Sequence, residues 1–255
     1  MSARFGFAPD WPTHARVRSW VTERAGGVST GAYAALNLAT HVGDSASDVA
    51  ENRALLTAGI DLPTEPVWLE QVHGATVLDL DLDLDLDRGA TPADAAVTSR
   101  PGTVCAVLTA DCLPVLLCDR AGRRVGAAHA GWRGLLNGVL PATVGAFGVL
   151  PRDIVAWLGP AISAAAYEVG ADVRDAYLAQ EPAAERFFAP NAHGRWQADL
   201  YGLARQSLNA AGVLAVAGGG FCTFSESQRF FSHRREAPCG RMATLIWLDA
   251  RHIGG

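Results

Sequence analysis

Short apolar blocks of strand length recur along the chain. Two flank Thr109-Ala110-Asp111-Cys112, a third ends at His129, and others cover Ile154 to Leu158, Val213 to Ala217 and the last part of Gly240 to Leu248. Uninterrupted runs of this length, bounded by turn signals, predict buried strands. Helical spacing separates them. Ser47 to Gly59 places Val49, Leu55 and Leu56 after a Ser/Asp start, and Val169 to Ala179 and Asp199 to Ala211 also have helical periods. After Gly131 a further stripe collects Leu135, Leu136, Val139, Leu140, Val144 and Phe147, with Pro141 predicting a kink or shortening. These signals describe an α/β body, and 255 residues fit one domain spanning positions 1–255.

Two other stretches carry patterns of their own. Residues 17 to 43 open with a short strand and pass into a Gly/Ser/Thr-rich connection, which reads either as an ordinary surface loop or as one that brings Arg24 and Asn37 close to a ligand. Leu78 to Asp87 alternates Leu and Asp without a break, so an extended strand there separates leucines from aspartates on opposite faces. It lacks the glycine and the glutamate of a calcium loop and reads as an edge strand or protruding hairpin whose charged face resists strand-on-strand association. Thr91 to Thr98 is a turn entering another strand.

Charge adds little to this picture. The formal net charge is -5, but removing the five repeat aspartates from 26 acidic residues leaves 21, matching the 21 basic ones. No nucleic-acid footprint is expected. The amino terminus has no secretory apolar core and no later stretch approaches a membrane span, which leads to the expectation of a cytoplasmic, soluble protein. Five cysteines without a C-x-x-C pair fit reduced thiols better than a disulfide framework. No strongly apolar surface segment demands a partner subunit, so a monomer is expected.

Candidate chemistry gathers where apolar runs stop. Cys112 follows one such run, His129 ends another before a helical period, and His73 lies in Gln71-Val72-His73-Gly74 after Val67-Trp68-Leu69. Two imidazoles and one thiolate match a three-ligand zinc centre with an open fourth position, where the ion lowers the pKa of water or polarises a substrate atom. The same atoms also permit metal-free chemistry, with Cys112 as nucleophile and His129 as its base. A third alternative is a non-enzymatic module around a structural zinc, closed by Cys105 or Cys118 as fourth ligand. Signatures of zincin proteases, nucleobase deaminases, phosphate-loop NTPases and dinucleotide folds are absent.

A family resemblance sharpens these alternatives. Thr22-Glu23-Arg24-Ala25-Gly26-Gly27-Val28-Ser29, Leu36-Asn37-Leu38 with His41-Val42-Gly43-Asp44, Gln71-Val72-His73-Gly74, Thr109-Ala110-Asp111-Cys112-Leu113-Pro114-Val115, His129-Ala130-Gly131-Trp132-Arg133-Gly134, Leu158-Gly159-Pro160-Ala161-Ile162 with Tyr167-Glu168-Val169, and Phe230-Phe231-Ser232 with Arg234-Arg235 closely resemble the YfiH family. That family is also called the multicopper polyphenol oxidase, laccase-domain or purine nucleoside phosphorylase family. The resemblance implies a single-domain α/β sandwich of mixed sheets flanked by helices, similar to toxin deamidase-like cysteine hydrolases. It implies zinc at His73, Cys112 and His129, and phosphorolysis of adenosine, inosine and methylthioadenosine with deamination of adenosine. The implied partners are a purine nucleoside and phosphate, with Arg24 and Asn37 near the nucleoside. Arg24 and Arg234 are also placed near phosphate or ribose, because guanidinium forks match such oxygens.

Some bacterial members are linked instead to editing peptidoglycan precursors, which keeps a cysteine hydrolase or amidase open. Copper is the alternative metal, but seven histidines, some in loop-like segments, are few for a four-copper oxidase. The chain departs from the family pattern at Cys239, where threonine is common, at Ser163 to Ala166, and in the Leu-Asp repeat.

Overall fold

A computed structural model describes residues 5–82 and 92–250. In chain order the elements are β1 (Gly6–Phe7), β2 (Val17–Thr22), α1 (Ala46–Gly59), β3 (Val77–Asp79), β4 (Ala95–Thr98), β5 (Cys105–Thr109), β6 (Leu113–Asp119), β7 (Val125–Ala130), α2 (Trp132–Leu136) and α3 (Val139–Ala146). They continue with β8 (Ile154–Leu158), β9 (Glu168–Val169), α4 (Ala171–Gln180), β10 (Phe188–Pro190), β11 (Trp196–Ala198), α5 (Leu200–Ala210), β12 (Ala215–Gly218), α6 (His233–Glu236) and β13 (Met242–Leu248).

Strands β12-β8-β6-β7-β4-β3 form a six-stranded sheet, mixed because both outer pairs are parallel and the inner pairs antiparallel. A second, antiparallel sheet has the order β1-β2-β13-β5. The two pack face to face: Val17, Val21, Val107, Ile246 and Leu248 meet Leu116, Val125, Ala127, Val155 and Trp157 in one buried cluster. Leu113, Val115, Leu117 and Ala128, on the other face of the larger sheet, pack against α2 to α5. The smaller sheet turns Ala106, Leu108, Ala243 and Leu245 toward Leu36, Leu38 and Leu56 of α1 and its preceding loop. This four-layer order explains the uninterrupted apolar runs. β6 is buried along its whole length because both of its faces are covered.

Several sequence expectations need correction. Pro141 does not break the helical stripe. The break is at Gly138, whose φ of 85° is left-handed, while Pro141 falls in the first turn of α3, where a missing N–H leaves no helical bond unmade. Val169 belongs to β9, paired with β11 in a small three-stranded sheet whose strands of two or three residues are too short to show a period. Among its described residues the Leu-Asp repeat is extended at Leu78 and Asp79, the end of β3 and a sheet edge, and turns at Leu80 to Leu82; residues 83–87 lie outside the described residues. Its first aspartates are engaged: Asp79 pairs with Arg124, and Asp81 accepts bonds from Thr98 and Ser99. Among the described residues, no helix is long and apolar enough to cross a membrane.

The Gly/Ser/Thr-rich loop is held by a buried side chain. Asn52 on α1 accepts from Val28 N at 2.8 Å and donates to Ser29 Oγ, Ala35 O and Asn37 O at 2.8, 3.2 and 2.9 Å. An Asn52→Ala variant should lose roughly 2–3 kcal/mol of stability, because buried loop groups lose their partners. Urea denaturation measures the change, and a midpoint within error of the parent would contradict the role given to Asn52.

Candidate metal centre

Three residues distant in sequence meet at one end of the six-stranded sheet. His129 lies one residue from the end of β7, Cys112 immediately precedes β6, and β6 pairs antiparallel with β7 so that Leu113 faces Ala130. His73 comes from the loop before β3. The ligand-capable atoms of the three side chains all lie within 4.8 Å of one another, with Cys112 Sγ 3.9 Å from His73 Nε2. The His73 and His129 rings stand edge to face, centroids 4.8 Å apart. A tetrahedral zinc with ordinary bond lengths places S and N ligands ~3.6 Å apart, so a small closing motion satisfies the ion. The donor set therefore fits zinc. Gly131 is required here, because a Cβ at that position would sit 2.8 Å from Cys112 Sγ and 3.2 Å from the His73 ring.

Asp94, at the entrance to β4, bonds to the His129 imidazole and to the backbone that carries His73. Its Oδ1 is 2.8 Å from His129 Nδ1, which leaves His129 Nε2 for the shared point. The same carboxylate accepts from the backbone N–H groups of His73 at 2.9 Å and Gly74 at 2.6 Å, fixing the loop in which His73 adopts a left-handed φ of 60°. Fully buried, Asp94 is nonetheless held ionised. Burial pushes its pKa up, but the bonds from His129, Gly74 and His73 outweigh that and bring it down. Residue-by-residue reading passed over Asp94, although an acid inside the apolar block Ala93 to Val97 was the available signal.

Without metal, Cys112 and His129 form a charge pair. Burial pushes the thiol up, yet the His129 charge, with hydrogen bonds from His129 and His73, brings Cys112 down to about 6. Burial conversely disfavours the charged His129, but Cys112 and Asp94 raise it to about 9. Cys112, His129 and Asp94 thus have the spatial order that a nucleophile, its base and an orienting acid require, with Asp94 in the third place.

A cavity of about 450 Å³, within the usual size of small-ligand sites, opens over the three residues. Trp132, Ile162 and Tyr167 supply apolar wall, and Gln71, Asp111, Arg133, Arg234 and Arg241 supply polar groups. Asp111, with a left-handed φ of 88°, accepts from Thr223 Oγ1 at 2.6 Å and Arg234 N at 2.7 Å, tying the carboxy-terminal segment to the Cys112 turn. Arg234 therefore lies on the cavity wall, stacked over Tyr167.

Arg24 and Asn37 lie off that wall. Arg24 donates to Ala34 O, Ser227 O and Glu236 and covers the Phe231 ring. Asn37, fully buried, bonds to Ala39, Asp44 and the backbone N of Arg241. Arg235 is likewise a structural clip, donating to Thr223 O, Phe224 O and Phe230 O.

Cys105 and Cys118 do not close the site. Cys105 belongs to the other sheet and Cys118 to the far end of β6, and among the described residues no fourth His, Cys, Asp or Glu joins the group. The fourth-ligand condition of the structural-zinc alternative is thus unmet by either cysteine. Nor is there, among those residues, a second such group of the kind four coppers require.

Fold and site together define a mixed α/β protein with an open His₂Cys metal-type centre under a small-molecule cavity. The chain belongs to the family described as multi-copper polyphenol oxidoreductase laccase, whose sequence model matches residues 18–249. It is 52% identical over 242 residues to a protein of Pseudomonas aeruginosa named purine nucleoside phosphorylase, covering 94% of this chain and 97% of that one. It is 51% identical over 241 residues to the Escherichia coli purine nucleoside phosphorylase YfiH, with the same coverage of 94% and 97%. A crystal structure of a Neisseria meningitidis protein matches with a TM-score of 0.91 at 48% identity, covering 97% of this chain and all of that one. YlmD of Geobacillus stearothermophilus matches with a TM-score of 0.87 at 31% identity over 98% of both chains.

Three outcomes follow from the geometry. In metal-stripped protein, iodoacetamide labelling of Cys112 should rise with pH around a midpoint near 6. Asp94→Asn should move that midpoint upward, because the imidazolium loses its counter-charge. A midpoint in the ordinary cysteine range in the parent would rule out the charge pair. Gly131→Ala should weaken zinc binding about 10- to 100-fold in chelator competition, the scale of a disturbed ligand environment.

Proposed function

We propose that this chain is a zinc-dependent purine nucleoside phosphorylase that also deaminates adenosine. Support comes from one juxtaposition: an open two-histidine, one-cysteine donor set at the floor of a nucleoside-sized cavity, in a chain about half identical to proteins named purine nucleoside phosphorylase. In phosphorolysis a phosphate oxygen bonds to the ribose anomeric carbon. The bond from that carbon to the purine breaks, its electron pair leaves with the base, and a proton completes the free purine. Deamination adds water at C6 and releases ammonia.

His73, Cys112 and His129 would hold zinc, which when bound supplies a Lewis acid beside the substrate. Asp94 keeps His129 in the tautomer that presents Nε2 inward. Trp132 and Tyr167 offer aromatic faces to a purine, while Arg234 offers a cation beside Tyr167. The Tyr167 hydroxyl stays protonated, burial first and then the nearby Cys112 raising its pKa, and so can donate to a substrate oxygen or nitrogen.

The purified protein should convert adenosine and phosphate to adenine and ribose 1-phosphate, and Cys112→Ala should reduce turnover at least ~1000-fold. Chromatography of both products is the measurement, and equal turnover in parent and variant would remove the assignment. The Cys112–His129–Asp94 order favours one second reading, a metal-free cysteine amidase acting on a cell-wall precursor. Elemental analysis separates the two. Stoichiometric zinc supports the first; metal-free protein alkylated selectively at Cys112, without phosphorolysis, supports the second.

A further inference from the structure

We propose that the cavity holds a phosphate dianion on the free edge of the Arg241 guanidinium, with His41 beside it. The inference rests on the phosphorolytic reading for the source of that phosphate, but the residues are chosen by their partners. Cations around this part of the fold divide into two sets. Arg24 and Arg235 both bond to Glu236, and Arg229 bonds to Glu23 and Glu226, so their charges are answered within the protein. Arg133, Arg234 and Arg241 line the cavity, and among the described residues none of them has a carboxylate partner. The carboxylate on the same wall, Asp111, is already committed to Thr223 and the Arg234 backbone. An excess of positive charge therefore faces the cavity.

Within that set Arg241 is the one built to grip. Its Nη1 donates to Cys239 O at 2.8 Å and Gly240 O at 3.1 Å, and its backbone N is fixed by Asn37 Oδ1 at 3.0 Å. Those bonds immobilise the inner nitrogen. Nε and Nη2, the side-on pair that matches two oxygens of a phosphate, have no bonding partner among the described residues. Arg133, by contrast, is exposed and stacks on Trp132, and Arg234 spends one nitrogen on Glu168 O. His41 lines the same cavity, and partial burial, then the charges of Arg241 and Arg53, disfavour its protonated form. An arriving dianion would relieve that repulsion. The ligand chemistry is a phosphoryl dianion, supplied either as inorganic phosphate or as a purine nucleoside 5′-monophosphate.

Binding of inorganic phosphate by zinc-loaded protein, followed by calorimetry and by ³¹P line broadening, tests the assignment without requiring turnover. Arg241→Gln should raise the phosphate Kd at least 10-fold. Arg241→Lys, which keeps the charge and loses the two-nitrogen edge, should raise it several-fold and serves if the glutamine variant does not fold. Arg120→Gln, on the surface turn after β6, should leave it within two-fold. Phosphate binding that is absent from the parent, or equal in the parent and both Arg241 variants, overturns the proposal. In the second arm, a nucleoside 5′-monophosphate weakened in parallel identifies a phosphate ester as an occupant, whereas a nucleotide unaffected by Arg241→Gln leaves inorganic phosphate as the ligand. Phosphate held at Arg241 in a protein that forms no ribose 1-phosphate would sink phosphorolysis and keep the subsite. Phosphorolysis with an unchanged KM for phosphate in Arg241→Gln would do the reverse.

Discussion

One buried carboxylate holds the site together. Asp94 has no exposure to solvent, yet it bonds to an imidazole and to two or more backbone N–H groups of another loop, so its charge is compensated from several directions. A buried ion surrounded in this way resists displacement, since removing any partner leaves a desolvated charge short of a bond. Because the bonds reach both His73 and His129, the two imidazoles are not independently placed. They are set by one group at the start of β4, in register with β7 through the Ala95–Ala128 pairing.

Around that carboxylate the sheet supplies rigidity. β6 and β7 are covered on both faces, and their shared register delivers Cys112 and His129 to one end of the six-stranded layer. His73 arrives from a loop, and Gln71 ties that loop to β5 by donating to Leu108 O and accepting from Leu108 N. On the opposite side Asp111 performs a related task, drawing Thr223 and the Arg234 backbone toward the Cys112 turn. Both His73 and Asp111 take left-handed backbone conformations, which non-glycine residues adopt when surrounding bonds demand it. Strain at the site is thus answered by hydrogen bonds to the scaffold.

The arginines show how residue type and residue role part company. Arg24 and Arg234 are both guanidiniums in blocks that resemble the family, and from sequence both suit an anionic or ribosyl ligand. In the fold Arg24 closes the amino-terminal loop onto Glu236 and Phe231, while Arg234 reaches the cavity and Arg241 joins it from the residue before β13. The distinction depends on whether a carboxylate lies within reach. Glu236 is 212 positions from Arg24, so no local pattern reports it.

Periodicity alone determined a great deal: the doubly buried strands β5 to β8 and β13, the helices α1, α4 and α5 to within a residue or two, and the apolar stripe that became α2 and α3. Those features depend on neighbours in the chain and on which faces must leave water, so a linear pattern records them. The short strands β9 to β11, the break at Gly138 and the turn after Asp79 escaped it, because each depends on a partner elsewhere or on one backbone angle. His73, Cys112 and His129 were legible as candidate ligands by residue type and by family likeness, but their convergence was not. Tertiary structure decided that through strand register, through Asp94 bonding across 20 or more positions, and through the space left at Gly131. A metal centre is a meeting of atoms within a few ångströms, and only the packed chain brings residues 39 positions apart to such a distance.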